Sequence, residues 1–171
     1  MDVLPDPERL LEALASQLAH ALPMEAKLIG IHSGGAWLAE RLAAVLPGRH
    51  AHGSIDVSFY RDDFSRVGLH AQIKKTLLPF EIEGADLLLI DDVLFTGRSV
   101  RAALNEIFDY GRPNSVQLAV LVDRGGRELP IEAQFVGTRL AVAMDQSVVL
   151  ARDAAGHLSL SLEPRQERAD A

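Results

Sequence analysis

Leucines 10, 11, 14 and 18 recur at helical spacing behind Asp6-Pro7, an N-cap followed by a first-turn proline, and predict an amphipathic helix over residues 7 to 22. KLIGI (27 to 31) predicts a buried strand, followed by the polar stretch His32-Ser33-Gly34-Gly35. Leu38, Leu42, Val45 and Leu46 then predict a second helix, ended by Pro47-Gly48. In SIDVSFY (54 to 60), Ile55, Val57 and Phe59 alternate with polar positions, which predicts a strand. Residues 61 to 78 keep neither period and predict for the most part a long mobile loop or loose hairpin, of the kind that often serves as a lid.

Leu87 to Ile90 are four consecutive apolar residues, the pattern of a central strand buried on both faces. Val100, Ala103, Leu104, Ile107 and Phe108 follow as a helical stripe stopped by Gly111 and Pro113. VQLAVLV (116 to 122) predicts the next buried strand, and weaker strand patterns cover 133 to 139, 146 to 151 and 158 to 162. Strands alternating with helices imply βαβ units and a mostly parallel sheet flanked by helices, the α/β class. No repeat or linker divides the chain, so residues 1 to 171 are expected to form one domain.

Composition narrows the class. A 48% hydrophobic, 24% charged chain is globular rather than disordered. It has no cysteine, hence no disulfide or thiolate metal site, and no apolar stretch long enough to span a bilayer. The start, Met1-Asp2-Val3-Leu4-Pro5, lacks the pattern of a signal peptide, and the cytoplasm is the expected compartment. A net charge of −7 argues mildly against a polyanionic partner, although Arg98, Arg101, Arg112, Arg124 and Arg127 crowd into one third of the chain. The six histidines show no metal-ligand spacing.

In a parallel sheet, ligands bind beyond the carboxyl ends of the strands. Three such ends carry polar signals: His32 to Gly35, Asp91 to Ser99, and Asp123 to Gly126. In the middle one, Thr96-Gly97-Arg98-Ser99 opens a helix, so backbone N–H groups and the positive end of the helix dipole would favour a phosphate monoester. The loop has neither the lysine and spacing of a Walker loop nor a GxGxxG pattern. Asp91 and Asp92 would repel that phosphate and must face vicinal hydroxyls or a divalent cation. A phosphorylated ribose offers both kinds of partner, with Mg²⁺ held mainly through water and substrate oxygens.

LLLIDDVLFTGRS (87 to 99) resembles the phosphoribosyl pyrophosphate (PRPP) signature of type I phosphoribosyltransferases. FYRDD (59 to 63), DDVLFTGRSVRAAL (91 to 104) and GRPNSVQLAVLVDRGGRELPIEAQFVG (111 to 137) are similar to one branch, the PyrR family of pyrimidine operon regulators with uracil phosphoribosyltransferase activity. The resemblance covers roughly residues 28 to 151. It implies the type I phosphoribosyltransferase fold, with a small hood built from the terminal parts of the chain and a lid at about 61 to 78.

It further implies that Asp91 and Asp92 hold the ribose hydroxyls, while the stretch from Val93 and Leu94 through Phe95, Thr96, Gly97, Arg98 and Ser99 completes the PRPP site and cradles the 5-phosphate. His32, Ser33, Gly34 and Gly35 would take the pyrophosphate. Arg61, with Arg66, Lys74 and Lys75 of the lid, would neutralise charge, and Arg124 and Val148 would lie near the base in the hood. The implied reaction is uracil plus PRPP to UMP and pyrophosphate, Mg²⁺-dependent, in a homodimer or higher oligomer, with UMP-dependent binding of pyrimidine-operon leader RNA as a second activity. Two alternatives stay open: an RNA-binding regulator with vestigial catalysis, and a transferase for another nucleobase. The chain departs from the family in three places: it has His32-Ser33-Gly34-Gly35 where an arginine pair is usual, Gly126 where the DRGHREL pattern has histidine, and Thr138-Arg139-Leu140-Ala141 where relatives have an asparagine-isoleucine-proline stretch.

Overall fold

The computed structural model describes residues 4–58 and 76–165. Arg61, Arg66, Lys74 and Lys75, the FYRDD stretch and most of the expected lid lie outside the described residues.

Helix α1 (Pro7–Ala21) starts where predicted, with the Asp6 side chain accepting the Glu8 N–H at 3.0 Å, and buries Leu11, Leu14 and Leu18. Strand β1 (Lys27–Ile31), helix α2 (Gly34–Val45) and strand β2 (His52–Ile55) follow. Strand β2 begins earlier and ends sooner than the alternation of SIDVSFY predicts. Asp56 ends it, because its side chain accepts the Ser58 N–H at 2.9 Å and turns the backbone out of the ladder. Helix α2 buries Leu38, Ala39 and Leu42, but Val45 is 67% exposed: only Leu46, beyond the helix end, closes the apolar face.

Strand β3 (Asp86–Leu94) runs through both aspartates instead of stopping before them. Helix α3 (Arg98–Tyr110) follows and buries Val100, Ala102, Ala103 and Ile107. Phe108, expected on the apolar stripe, is 57% exposed. At about 100° per residue it lies about 140° round from Ala103, the centre of the buried face, whereas Ala102 falls inside it. Strand β4 (Ser115–Asp123), β5 (Phe135–Arg139), β6 (Gln146–Arg152) and β7 (Leu158–Pro164) complete the chain.

The sheet is five-stranded and parallel throughout, in the order β2-β1-β3-β4-β5. Leu88 and Ile90 face a core shared with α1 and α2; Leu87 and Leu89 face a second core shared with α3. This period of two, apolar on both sides, is why the LLLI run is continuous. Strands β6 and β7 form a separate antiparallel ribbon. Leu150 and Leu158 anchor it in the α1–α2 core, and Arg152 lies 4.8 Å from the Trp37 ring centroid on α2.

Candidate active site

The strand register gathers the three polar strand ends. Gly30 pairs with Ile90, Asp91 with Val120, and Leu94 with Asp123, so the loops after β1, β3 and β4 emerge side by side. After β1, the His32 N–H bonds the Ile55 carbonyl at 2.9 Å and its Nε2 lies 2.9 Å from Ser54 Oγ, so the ring leans toward β2. The His32–Ser33 peptide is cis. Gly34 and Gly35 then pass against β3. A Cβ on Gly34 would stand 2.4 Å from Asp92 Oδ2, and one on Gly35 would stand 2.3 Å from the Ile90 carbonyl oxygen. Glycine is favoured at both positions: a side chain at 35 would meet strand backbone, and one at 34 would push the Asp92 side chain aside.

Asp91 is buried and its Oδ1 accepts the Asp92 N–H at 3.0 Å. Asp92 is half-buried and its Oδ1 accepts the Val93 N–H at 2.9 Å. Among the described residues no cluster of three or more His, Cys, Asp or Glu side chains could hold a metal. Two adjacent carboxylates fit a hard cation that arrives with oxygen-rich substrate.

Phe95 to Ser99 turns from β3 into α3. Gly97 is the N-cap with φ 90°, a left-handed conformation that favours glycine, and a Cβ there would stand 3.0 Å from the Ile131 side chain. The Arg98 N–H is 3.2 Å from Thr96 Oγ1. On the side of β4, the segment after Asp123 grips the backbone of this turn. Arg127 Nη1 donates to the Phe95 carbonyl at 2.9 Å, and the N–H groups of Glu128 and Leu129 donate to the Thr96 carbonyl at 2.9 and 3.2 Å. Arg98 Nε pairs with Glu128 Oε2 at 2.7 Å.

Asp123 is buried and pairs with Arg127 Nη2 at 2.7 Å. Burial raises its pKa, but the Arg127 and Gly125 hydrogen bonds and the charges of Arg127 and Arg139 outweigh this and hold it below the usual carboxylate value. Arg124 is 7% exposed, lies 4.1 Å from the Phe95 ring centroid, and donates to the carbonyls of Gln146 and Ala143. Burial, with the charge of Arg165, pulls its pKa below the usual arginine value. Val148 is buried in β6. An open cleft of ≈ 430 Å³ lies beyond β4 and β5, lined by Asp123, Arg124, Gly125, Arg127, Arg139, Leu140 and Ala141.

The arginine crowding therefore is not a surface patch. Arg124 and Arg127 serve the interior and Arg98 is paired with Glu128, which leaves Arg101 and Arg112 as the exposed members.

Comparison with known proteins bears on the same arrangement. The Phosphoribosyl transferase domain family matches residues 7–155. The Bifunctional protein PyrR of Ralstonia nicotianae is 50% identical over 155 residues, covering 88% of this chain and 88% of that protein. The chain belongs to the PyrR family. A second relative of the same name, from Pseudomonas paraeruginosa, is 50% identical over 151 residues, covering 86% of this chain and 89% of its own. Among solved structures, a hypoxanthine-guanine phosphoribosyltransferase from Bacillus anthracis superposes with TM-score 0.66 at 20% identity, covering 82% of this chain and 85% of the other. A hypoxanthine phosphoribosyltransferase from Staphylococcus aureus gives 0.65 at 27%, covering 86% and 81%. The parallel sheet and flanking helices are thus the type I phosphoribosyltransferase fold.

Within this PyrR-family site, the structure brings together His32 to Gly35, Asp91 to Ser99, and Arg124. Sequence reasoning missed the grip of Arg127 and Glu128 on the Phe95–Thr96 backbone. The one signal was an arginine four residues after Asp123, beyond two glycines that let the chain fold back. Among the described residues no helix is long and apolar enough to cross a membrane.

Proposed function

We propose that this PyrR-family chain, acting as one domain, transfers the phosphoribosyl group of PRPP to uracil, releasing UMP and pyrophosphate. The observation that carries this reading is the register, which sets an acid pair, a glycine loop and a helix N-terminus beside one another at the carboxyl edge of the sheet. In the proposal Asp91 and Asp92 accept hydrogen bonds from the ribose 2- and 3-hydroxyls, and the turn from Phe95 to Ser99, continuing the Val93-Leu94 strand end, takes the 5-phosphate. The loop from His32 to Gly35 takes pyrophosphate through backbone donors. Arg61, Arg66, Lys74 and Lys75 would add positive charge to it. Mg²⁺, bound through PRPP oxygens beside the two aspartates, would offset the charge of the departing pyrophosphate.

No nucleophilic side chain is needed. Loss of pyrophosphate from C1 gives an oxocarbenium-like ribose, and the residues serve to hold sugar and base in line and keep water out. The base would lie toward the cleft between Arg124, Arg139 and Leu140, with Val148 in the hood behind it. Uracil presents carbonyl oxygens and an N–H there, complementary to guanidinium donors and backbone carbonyls. Radiolabelled uracil with PRPP, with and without Mg²⁺, is the direct test: UMP should form only with the metal. Turnover of a purine but not uracil would reassign the base, and no product with any base would overturn the enzyme reading.

The name of the relatives, Bifunctional protein PyrR, supports a second activity, which the sequence resemblance makes UMP-dependent binding of pyrimidine-operon leader RNA. A gel-shift series should show binding that weakens steeply with salt. No retardation at low salt with UMP present would remove this activity. Gel filtration should give a homodimer or larger.

A further inference from the structure

We propose that Arg127 is a positioning residue for the phosphate-binding turn: it holds the Phe95 carbonyl from behind and so aims the Thr96 amide, while the backbone that follows it holds the Thr96 carbonyl. The inference rests on the assignment of Phe95 to Ser99 to the 5-phosphate, made above.

A planar trans peptide points its C=O and its N–H in opposite directions. The Phe95 carbonyl is fixed by Arg127 Nη1 at 2.9 Å, so the Thr96 N–H on the same peptide points away from the segment that follows β4. The Thr96 carbonyl is fixed by the Glu128 and Leu129 N–H groups at 2.9 and 3.2 Å, so the Gly97 N–H points the same way. Two adjacent amides are thereby aimed together, at the N-terminus of α3, where an anion gains from both.

Arg127 can do this because all three of its nitrogens are committed. Nη2 is held by Asp123 Oδ2 at 2.7 Å and Nε by the Ile131 carbonyl at 2.9 Å, which leaves Nη1 a single direction. The fork is rigid and planar, so the position of Phe95 is inherited from β4. The turn alone has a glycine at its centre, with φ 90°, and an aromatic side chain resting on another glycine. Pinning both carbonyls in advance removes the ordering cost that the phosphate would otherwise bear on binding.

The test is steady-state kinetics on Arg127→Gln and Arg127→Lys, with KM measured separately for PRPP and for uracil. The expected result is a rise of about tenfold or more in KM for PRPP, equal to about 1.4 kcal/mol, exceeding any change in KM for uracil, whose proposed cleft Arg127 also lines, with kcat at saturating PRPP within about threefold. Arg127→Lys keeps the charge beside Asp123 but loses the fork, and should fall between Arg127→Gln and the parent. Arg41→Gln, which breaks an ion pair with Glu8 on α1, is the control for general destabilisation and should lower the melting temperature without moving KM for PRPP. Ser99→Ala, in the turn itself, separates the two levels of argument. If Ser99→Ala raises KM for PRPP and both Arg127 variants do not, the positioning role is wrong while the phosphate assignment stands. If neither position moves it, the phosphate assignment fails as well. Equal loss of PRPP and uracil affinity in Arg127→Lys would make Arg127 merely structural.

Discussion

Gly34 and Asp92 occupy space that neither could share with one more methyl group: a Cβ at position 34 would lie 2.4 Å from Asp92 Oδ2 and 2.6 Å from its Cγ. The loop assigned to pyrophosphate and the acid assigned to ribose are therefore mechanically joined. Gly34→Ala should fold at some cost in stability, since alanine favours the start of α2 but the whole Asp92 side chain, its Cβ at 2.8 Å included, must move aside. It should displace the Asp92 carboxylate and raise KM for PRPP about tenfold or more, with KM for uracil unchanged. Titration with PRPP at fixed uracil measures this; an unaltered KM would show that Asp92 does not grip the sugar from its observed position.

Asp91 and Asp92 differ in burial, and their amide variants should differ accordingly. Asp92 is half-buried, so Asp92→Asn keeps shape and most hydrogen bonding and should reduce kcat/KM for PRPP by about a hundredfold with little change in melting temperature. Asp91 is 4% exposed, so Asp91→Asn should cost activity and also about 1 kcal/mol of stability, because the amide meets surroundings arranged for a carboxylate. Parallel kinetics and thermal melts distinguish the two. A larger melting loss in Asp92→Asn than in Asp91→Asn would mean that Asp92 is a structural acid.

How much of this was legible beforehand depended on whether the signal was local. LLLI marked a strand buried on both faces because period and composition agree there, and the 13-residue stretch ending at Ser99 marked the site because loop, helix start and acids are contiguous. Phe108 was misplaced because a stripe of spacing cannot show which of its edges the sheet covers. Strand β2 was drawn too long because the turn made by Asp56 competes with the alternation of its neighbours. The arginine cluster misled most. Arg124 and Arg127 look like surface charge in one dimension, and only the fold shows that Arg124 binds carbonyls of the segment leading into β6 and Arg127 the Phe95 carbonyl after β3.

Gly126 lies under Phe95: its φ is 79°, and a Cβ would stand 2.4 Å from Phe95 Cε2. Gly126→His should therefore lift the Phe95 ring off its seat and away from Arg124, whose guanidinium is stacked 4.1 Å from the ring centroid. The left-handed backbone adds a cost of about 1 kcal/mol for any residue with a Cβ. The expected loss is about 2 to 3 kcal/mol in denaturant unfolding, with a raised KM for PRPP. Phe95→Leu in the same chain should recover part of the loss, because the clash is with the ring edge; the strain of the positive φ should remain. No coupling between positions 95 and 126 in the double-mutant cycle would contradict the packing.

Glu8 on α1 joins three elements, accepting from Arg41 Nη1 of α2 and from the Leu158 N–H of β7, each at 3.0 Å, with Arg41 Nη2 on its second oxygen. The Arg41 hydrogen bond, against a smaller opposing effect of burial, holds the Glu8 pKa below its usual value. A carboxyl whose pKa is lowered on folding contributes stability above its unfolded pKa, and that contribution is lost as pH falls through the folded one. Because the Arg41 and Glu8 side chains are 38% and 31% exposed, solvent screening limits the pair, and the whole contribution is about 1 to 2 kcal/mol with the Leu158 bond included. Glu8→Ala should thus lower the melting temperature by about 3 to 6 °C near pH 7. The gap to the parent should hold constant above about pH 5, start to narrow near the usual glutamate value of about 4.3, and go on narrowing as pH falls through the lowered folded value. A gap that does not narrow at all over the acidic range in which the parent stays folded would mean that the ion pair contributes nothing and that Glu8 acts through packing alone.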